Sequence, residues 1–220
     1  MFFPLRDDNP TRNFPWVTLL LIAANGLIFL QEMQLEASLL GALFERAGAI
    51  PVRFTGDVVP VDGALDLHLT LVSSLFLHGG WAHVLGNMWF LWIFGDNIED
   101  RLGPFFFLLF YLFAGVAATA THIATVPDST APVIGASGCI SGVLGAYAVL
   151  LPRARVYSYI WIVIFIRTFY LPAALYLGFW FLWQFLSLGQ EGVAWWAHIG
   201  GFIAGLGFGL LLRLEPRLMR

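Results

Sequence analysis

Charge is what this chain of 220 residues has least of: 11% of them are Asp, Glu, Lys or Arg, against about 25% in an ordinary soluble domain. Apolar residues make up 59%, and that balance excludes an ordinary water-soluble domain and indicates a membrane protein. A single cysteine, Cys139, excludes an internal disulfide and leaves the redox compartment undetermined. No Lys- or Arg-rich run is present, so nucleic acid is not an expected partner, and a net charge of -3 says little about any other. The N-terminal stretch MFFPLRDDNPTRNFPW lacks a short apolar core followed by a small-residue cleavage site, and no cleaved signal or transit peptide is expected. Internal repeats, low-complexity tracts and linkers are also missing, which leaves one domain over residues 1–220.

Aromatic residues, by contrast, are abundant. The 21 Phe and 9 Trp suit a spanning bundle, because aromatic side chains populate both the lipid face and the headgroup belts. A hydrocarbon core about 30 Å thick needs about 20 mostly apolar residues per helix. Six segments are candidates: 16–31, 83–98, 104–122, 137–151, 170–188 and 194–212. The expected fold is therefore an all-α membrane bundle of six helices. Residues 156–184 are apolar for longer than one span requires, but Arg167 and Pro172 interrupt them. Their first part, VYSYIWIVIFI, is expected to lie at the interface or to re-enter, with the span starting near Tyr170. If the N-terminus is cytoplasmic, Arg6, Arg12, Arg101, Arg153, Arg155, Arg167, Arg213, Arg217 and Arg220 lie inside, and only Arg46 and Arg53 lie outside. This bias puts both termini on the cytoplasmic side. The external connection 32–81 contains LEASLLGALFERAG, whose apolar spacing suits a helix lying on the membrane surface.

Polar groups inside a span are costly, so each is a functional candidate. HGGWAHVLGN sets His83 and Asn87 four residues apart, on one helix face near the external end. Two donors aimed into one space would stabilise a developing negative oxygen, although an interfacial histidine and an interhelical asparagine bond would share that spacing. AWWAHIGGFIAG holds His198 about one turn into an apolar helix, followed by Gly201 and Gly205 on a close-packing face. His198 is suited to act as a general base, or to bond a neighbouring helix. GDNIEDRLG, residues 95–103, is expected to cap and orient the cytoplasmic end of the second span.

Residues 132–147, PVIGASGCISGVLGAY, carry four glycines and two serines, although each glycine weakens a helix by about 1 kcal/mol relative to alanine. Gly138, Gly142 and Gly145 leave one face nearly bare, as a small-xxx-small contact needs, and Gly135 frees the turn into the helix. Ser137 falls at the helix start, where unpaired N–H groups and the positive dipole end favour an alkoxide or an oxyanion. Ser141, one turn deeper on the same face, is either a second candidate nucleophile or a packing residue. Ser137, His198, His83 and Asn87 share a shallow external depth, so a nucleophile, a base and two oxyanion donors can meet in one plane, as acyl transfer demands.

In order and spacing, HGGWAHVLGNMWFLW, GDNIEDRLG, GASGCISGVLGAY and AHIGGFIAG resemble the motifs of the rhomboid intramembrane serine proteases, over residues 73–209. The resemblance implies a six-helix core and cleavage of peptide bonds in or near transmembrane helices of other membrane proteins. Transmembrane substrates and the lipid bilayer are then the expected partners, with no metal or other cofactor. It further implies Ser137 as nucleophile (the family's Gly-x-Ser-Gly), His198 as base (its Ala-His-x-x-Gly), and His83 and Asn87 as oxyanion donors beside the Ser137 N–H. His78 matches a histidine often found five residues earlier and receives no chemistry. The expected location is a prokaryotic cytoplasmic membrane with the site near its external face. A proteolytically silent relative that binds membrane clients is the alternative, opposed by the presence of both Ser137 and His198. The natural substrate and the oligomeric state are not legible.

Two departures stand out. Leu69 and Thr70 occupy places where many members carry Trp-Arg in the external loop, which leaves the loop's anchoring to be found. Ser141 stands where some members have a tyrosine packed on the catalytic histidine. No carboxylate falls where it would orient His198, so a Ser-His dyad is expected, with the imidazole held by another group. The aromatic run FWFLWQF, residues 179–185, and Trp195 with Trp196 are candidates for a lateral gate and a cap, or for lipid-facing and interfacial residues.

Overall fold

A computed structural model describes residues 2–56, 63–162, 165–189 and 192–214; Arg217 and Arg220 of the orientation argument lie outside them. The glycine-rich segment forms α7 (Ser137–Leu150), and eleven of its fourteen residues are buried, which makes it the helix around which the others pack. Helix α9 (Trp195–Leu214) lies so close that a Cβ on Gly201 or Gly205 would overlap the carbonyl oxygens of Gly138 or Gly142. On another flank, Cβ atoms on Gly138 and Gly142 would overlap the methyl groups of Ala118 and Ala114 of α6 (Pro104–Thr125). The small residues therefore serve two contacts, with α6 and with α9, rather than one bare face.

Helices α1 (Trp16–Glu32), α5 (Trp81–Leu102) and α8 (Ala173–Leu186) complete the bundle. Phe94 of α5 joins Tyr147 of α7, edge to face at 5.1 Å, to Tyr176 of α8 at 6.4 Å, so three helices meet on one aromatic junction. The outside is apolar too: Leu20, Leu27, Trp92, Phe105, Phe113, Phe179, Trp183 and Ile203 are each more than half exposed. Such a belt suits lipid rather than water. By length and composition α6 and α9 can each cross a bilayer; α1, α7 and α8, at 17, 14 and 14 residues, fall short of the usual length of about 20 residues. Helix α5 has 22 residues, but its last turns carry Asp96, Glu99, Asp100 and Arg101.

Those acids do more than end α5. Helix α1 starts after Pro15, which supplies no side-chain cap. Glu99 substitutes for one by accepting the N–H groups of Val17 and Thr18 at 2.9 and 2.8 Å and the Thr18 hydroxyl at 2.8 Å. A carboxylate at unpaired N-terminal N–H groups satisfies them and complements the helix dipole. Asp100 accepts the N–H of Asn13 at 2.9 Å and its side-chain amide at 2.7 Å, and the two acids tie the N-terminal segment to α5.

The long connection between α1 and α5 holds α2 (Ala37–Ala47), within the surface-helix segment read from the sequence, then α3 (Val52–Thr55), α4 (Leu67–Ser73) and a 3₁₀ turn at Ser74–Phe76. Its anchoring lies in hydrogen bonds to backbone carbonyls, with no need of a Trp-Arg pair. Ala49 bridges Val133, the Gly135 N–H donates to the Ser74 carbonyl at 2.8 Å, and the Ser73 hydroxyl donates to the Ala47 carbonyl at 2.6 Å.

The all-α expectation needs correction at residues 155–172. β1 (Phe2–Asp7), β2 (Arg155–Ile162) and β3 (Phe165–Pro172) form an antiparallel sheet in the order β1-β2-β3, with Val156 opposite Leu171 and, on the other side, Asp7. The expected interfacial or re-entrant segment at 156–166 is thus a hairpin arm and its return; residues 163–164 lie outside the described residues. The reason is composition: Val, Tyr, Ile, Trp and Phe suit a pleated surface better than a helix. Tyr157 and Tyr170 face each other across the strands at 4.7 Å. The helix expected to start near Tyr170, α8, therefore begins at Ala173, after Pro172.

Candidate active site

Ser137 is the first residue of α7, and the chain reaches it through Gly135, whose φ of +114° lies outside the range comfortable for other residues. His198 lies in the first turn of α9. The tight α7–α9 crossing brings the two together, with Ser137 Oγ 2.8 Å from His198 Nε2. On the far side of the imidazole, Nδ1 stands 2.9 Å from Oε1 of Gln184 on α8. Trp195 stands edge-on to the ring at 5.7 Å and Trp180 lies tilted at 6.2 Å.

His83 and Asn87, one turn apart on α5, line the same cavity of about 780 Å³ as Ser137, His198 and Gly135. A Cβ built on Gly135 would fall 2.5 Å from His83 Nε2 and 3.6 Å from Asn87 Nδ2. Glycine leaves that point empty, and the two nitrogens converge on it. The Gly79 N–H approaches His83 Nδ1 at 3.4 Å; a nitrogen that accepts must carry a lone pair, so in the neutral ring the proton sits on Nε2 and faces the cavity. Asn87 is 8% exposed, and its Nδ2 has no partner among the described residues. An amide N–H on the cavity wall that bonds no neighbouring side chain can serve as a donor to an oxygen that enters there.

His78 does not reach this space. Its ring packs edge-on to His83 at 5.0 Å, and its backbone N–H donates to the Glu32 carboxylate at 3.3 and 3.2 Å, which makes it a buttress. Ser141 is separated from Ser137 in role: it is fully buried, and its hydroxyl donates to the Ser137 carbonyl at 2.6 Å, a local back-bond common for serine within helices. Of the run 179–185, Phe179, Leu182, Trp183 and Phe185 are exposed on the outer face, while Trp180 lines the cavity.

Gln184 went unnoticed in the sequence. The signal was present, since it is the one strongly polar residue in α8, and polar residues in apolar helices mark function. What linear reading lacked was a partner, because His198 is fourteen positions away on another helix.

Residues 67–215 match the Rhomboid domain family. RHOMBOID-like protein 5 of Arabidopsis thaliana is 27% identical over 233 residues, covering 96% of this chain and 72% of that protein. Rhomboid-like protein 11, chloroplastic, of the same plant is 39% identical over 71 residues, covering 32% of this chain and 25% of that protein. Presenilin-associated rhomboid-like protein A, mitochondrial, of Danio rerio is 37% identical over 89 residues, covering 40% and 23%. The chain thus spans most of the first relative and about a quarter of the other two.

Proposed function

This chain belongs to the rhomboid family, a family of membrane proteins, and from that premise we propose that it is an intramembrane serine endopeptidase cleaving peptide bonds in or near transmembrane helices of other membrane proteins. The observation that carries the proposal is the 2.8 Å contact of Ser137 Oγ with His198 Nε2, in the cavity that His83 and Asn87 also line. Ser137 Oγ attacks the substrate carbonyl carbon while His198 Nε2 takes its proton. The electron pair of the C=O bond moves onto oxygen, over Gly135, where His83 Nε2–H, Asn87 Nδ2–H and the N–H groups at the start of α7 donate to it. His198 returns the proton to the leaving amine as the C–N bond breaks. Water, deprotonated at the same Nε2, then attacks the acyl-Ser137 ester, and Ser137 recovers its proton on leaving.

Substrates would be segments whose helix unwinds easily, because the attacked backbone must be extended and a stable helix hides it. In this reading α1, α5, α6, α7, α8 and α9 make six crossings, with both termini on the arginine-rich face and the site near the other. Helix α7 can be short because protein rather than lipid surrounds it, and water entering the cavity then meets its N-terminus below the membrane surface. The relatives are plant, chloroplastic and mitochondrial proteins; they lend no support to the prokaryotic membrane expected from the sequence.

A serine-reactive fluorophosphonate probe and a panel of single-span substrates test the proposal on the purified full chain. Wild type should be labelled and should cleave, Ser137→Ala should do neither, and Asn87→Ala should lose about 10²–10³-fold in kcat. Labelling that is absent from wild type, or that persists in Ser137→Ala, overturns it. A wild type that retains single-span proteins without cutting them would be a client-binding relative instead.

A further inference from the structure

We propose that Gln184 is a third member of the site: a positioning residue whose amide oxygen holds His198 in the one tautomer able to deprotonate Ser137. The inference rests on the protease reading above and extends it beyond a dyad. Gln184 is 2% exposed, and an amide buried in an apolar helix is costly unless both its ends are bonded. Its Nε2 donates to the Trp180 carbonyl at 2.8 Å, one turn back on α8. A carbonyl only accepts, so the amide cannot be reversed without setting two acceptors against each other. Oε1 is therefore the end that faces His198 Nδ1 at 2.9 Å. An amide oxygen carries no proton, so Nδ1 must supply it, and the lone pair of the neutral ring is left on Nε2, toward the Ser137 hydroxyl at 2.8 Å. The same turn of α8 supplies the Trp180 ring against the imidazole at 6.2 Å.

His83 carries the opposite tautomer, because there Gly79 presents an N–H to Nδ1. Two histidines of one cavity are thus set as base and donor by one acceptor and one donor behind them. Gln184 differs from the carboxylate of a charged triad in having no charge to stabilise imidazolium; it acts by tautomer and orientation.

The test compares wild type, Gln184→Leu and Gln184→Glu as full chains in detergent micelles. In Gln184→Leu, kcat should fall about 10²-fold with KM unchanged, since only the proton transfer is impaired. Gln184→Glu keeps an acceptor on Nδ1 but gives up the N–H that bonds the Trp180 carbonyl, so activity should return in part, above that of Gln184→Leu. The acid limb of its pH–rate profile should move to higher pH, because a carboxylate favours the imidazolium. Among the described residues, the other titratable side chains acting on His198 are His83 on α5 and His122 on α6, and these are common to all three proteins. A Gln184→Leu protein as active as wild type, or Leu and Glu variants impaired alike with an unmoved acid limb, overturns the inference. Nitrogen-15 spectra of histidine-labelled wild type, with the His198 signal identified by its loss in His198→Ala, read the tautomer without catalysis. Protonation at Nδ1 supports the role of Gln184 even if wild type cuts nothing, and protonation at Nε2 refutes it even if wild type is a protease.

Discussion

Asp7 shows how many elements one carboxylate can couple. Standing at the end of β1, it accepts hydrogen bonds from the Tyr147 hydroxyl of α7 and from Asn97 Nδ2 of α5 at 2.9 Å, and so joins the N-terminal strand to two helices. Burial is the main cause that pushes its carboxyl up from 3.8 to about 6; the Tyr147 hydrogen bond opposes the rise, while nearby Asp96 and Asp8 add to it. Asp8, one residue on, is exposed and held down instead by the Arg155 backbone N–H, with the Arg155 guanidinium adding to the effect. The sign follows from linkage: with a native value above the unfolded one, the folded chain binds the extra proton, so Asp7 lowers stability as pH rises from about 4 to about 6 and adds no further change above that. Thermal midpoints in detergent should fall across that interval in wild type. Asp7→Asn, which keeps an acceptor without the charge, should lose this component; an identical fall in both proteins would acquit Asp7.

At the scale of elements, the α7–α9 crossing decides whether Ser137 and His198 meet. Gly201 stands with its Cα against the Gly138 carbonyl, where no Cβ fits. Gly201→Val would force the helices apart, and a displacement of about 1 Å at a reacting pair costs about 10²-fold. Probe labelling of Ser137 should fall by about that factor. Gly192, in the connection before α9, has no atom of the other described residues within 4 Å of a Cβ, but its φ is +83°, a region that costs a non-glycine residue about 1–2 kcal/mol. Gly192→Ala should therefore lower the thermal midpoint somewhat and leave labelling within a few-fold of wild type. Equal losses of labelling in the two variants would count against close helix approach as the reason for Gly201.

For the whole molecule, the number of crossings sets which segments share a face. If six helices cross, both termini lie on one face and the connection containing α2 lies on the other. If only α6 and α9 cross, the N-terminus and that connection share a face. Reporters fused at each end and inserted after Gly56 separate the two: the expected result is both ends on one face and the insertion opposite. An insertion on the same face as the N-terminus would exclude six crossings. Composition and hydropathy by themselves determined that the chain is an apolar helical bundle, and the spacing of HGGWAHVLGN, GASGCISG and AHIGG brought forward Ser137, His198, His83 and Asn87. Such information is local, because a helix start, a four-residue repeat and a costly polar residue are each complete within a few positions. Only the tertiary structure decided that residues 2–7 join the hairpin of residues 155–172 as a third strand, since that pairing sets Phe2 against Ile160 and Asp7 against Val156, far apart in the chain, and leaves no periodic trace in either segment. It decided too that Ser141 turns back on its own helix and that Gln184 backs His198, because which polar groups meet depends on how helices pack and not on where they stand in the chain.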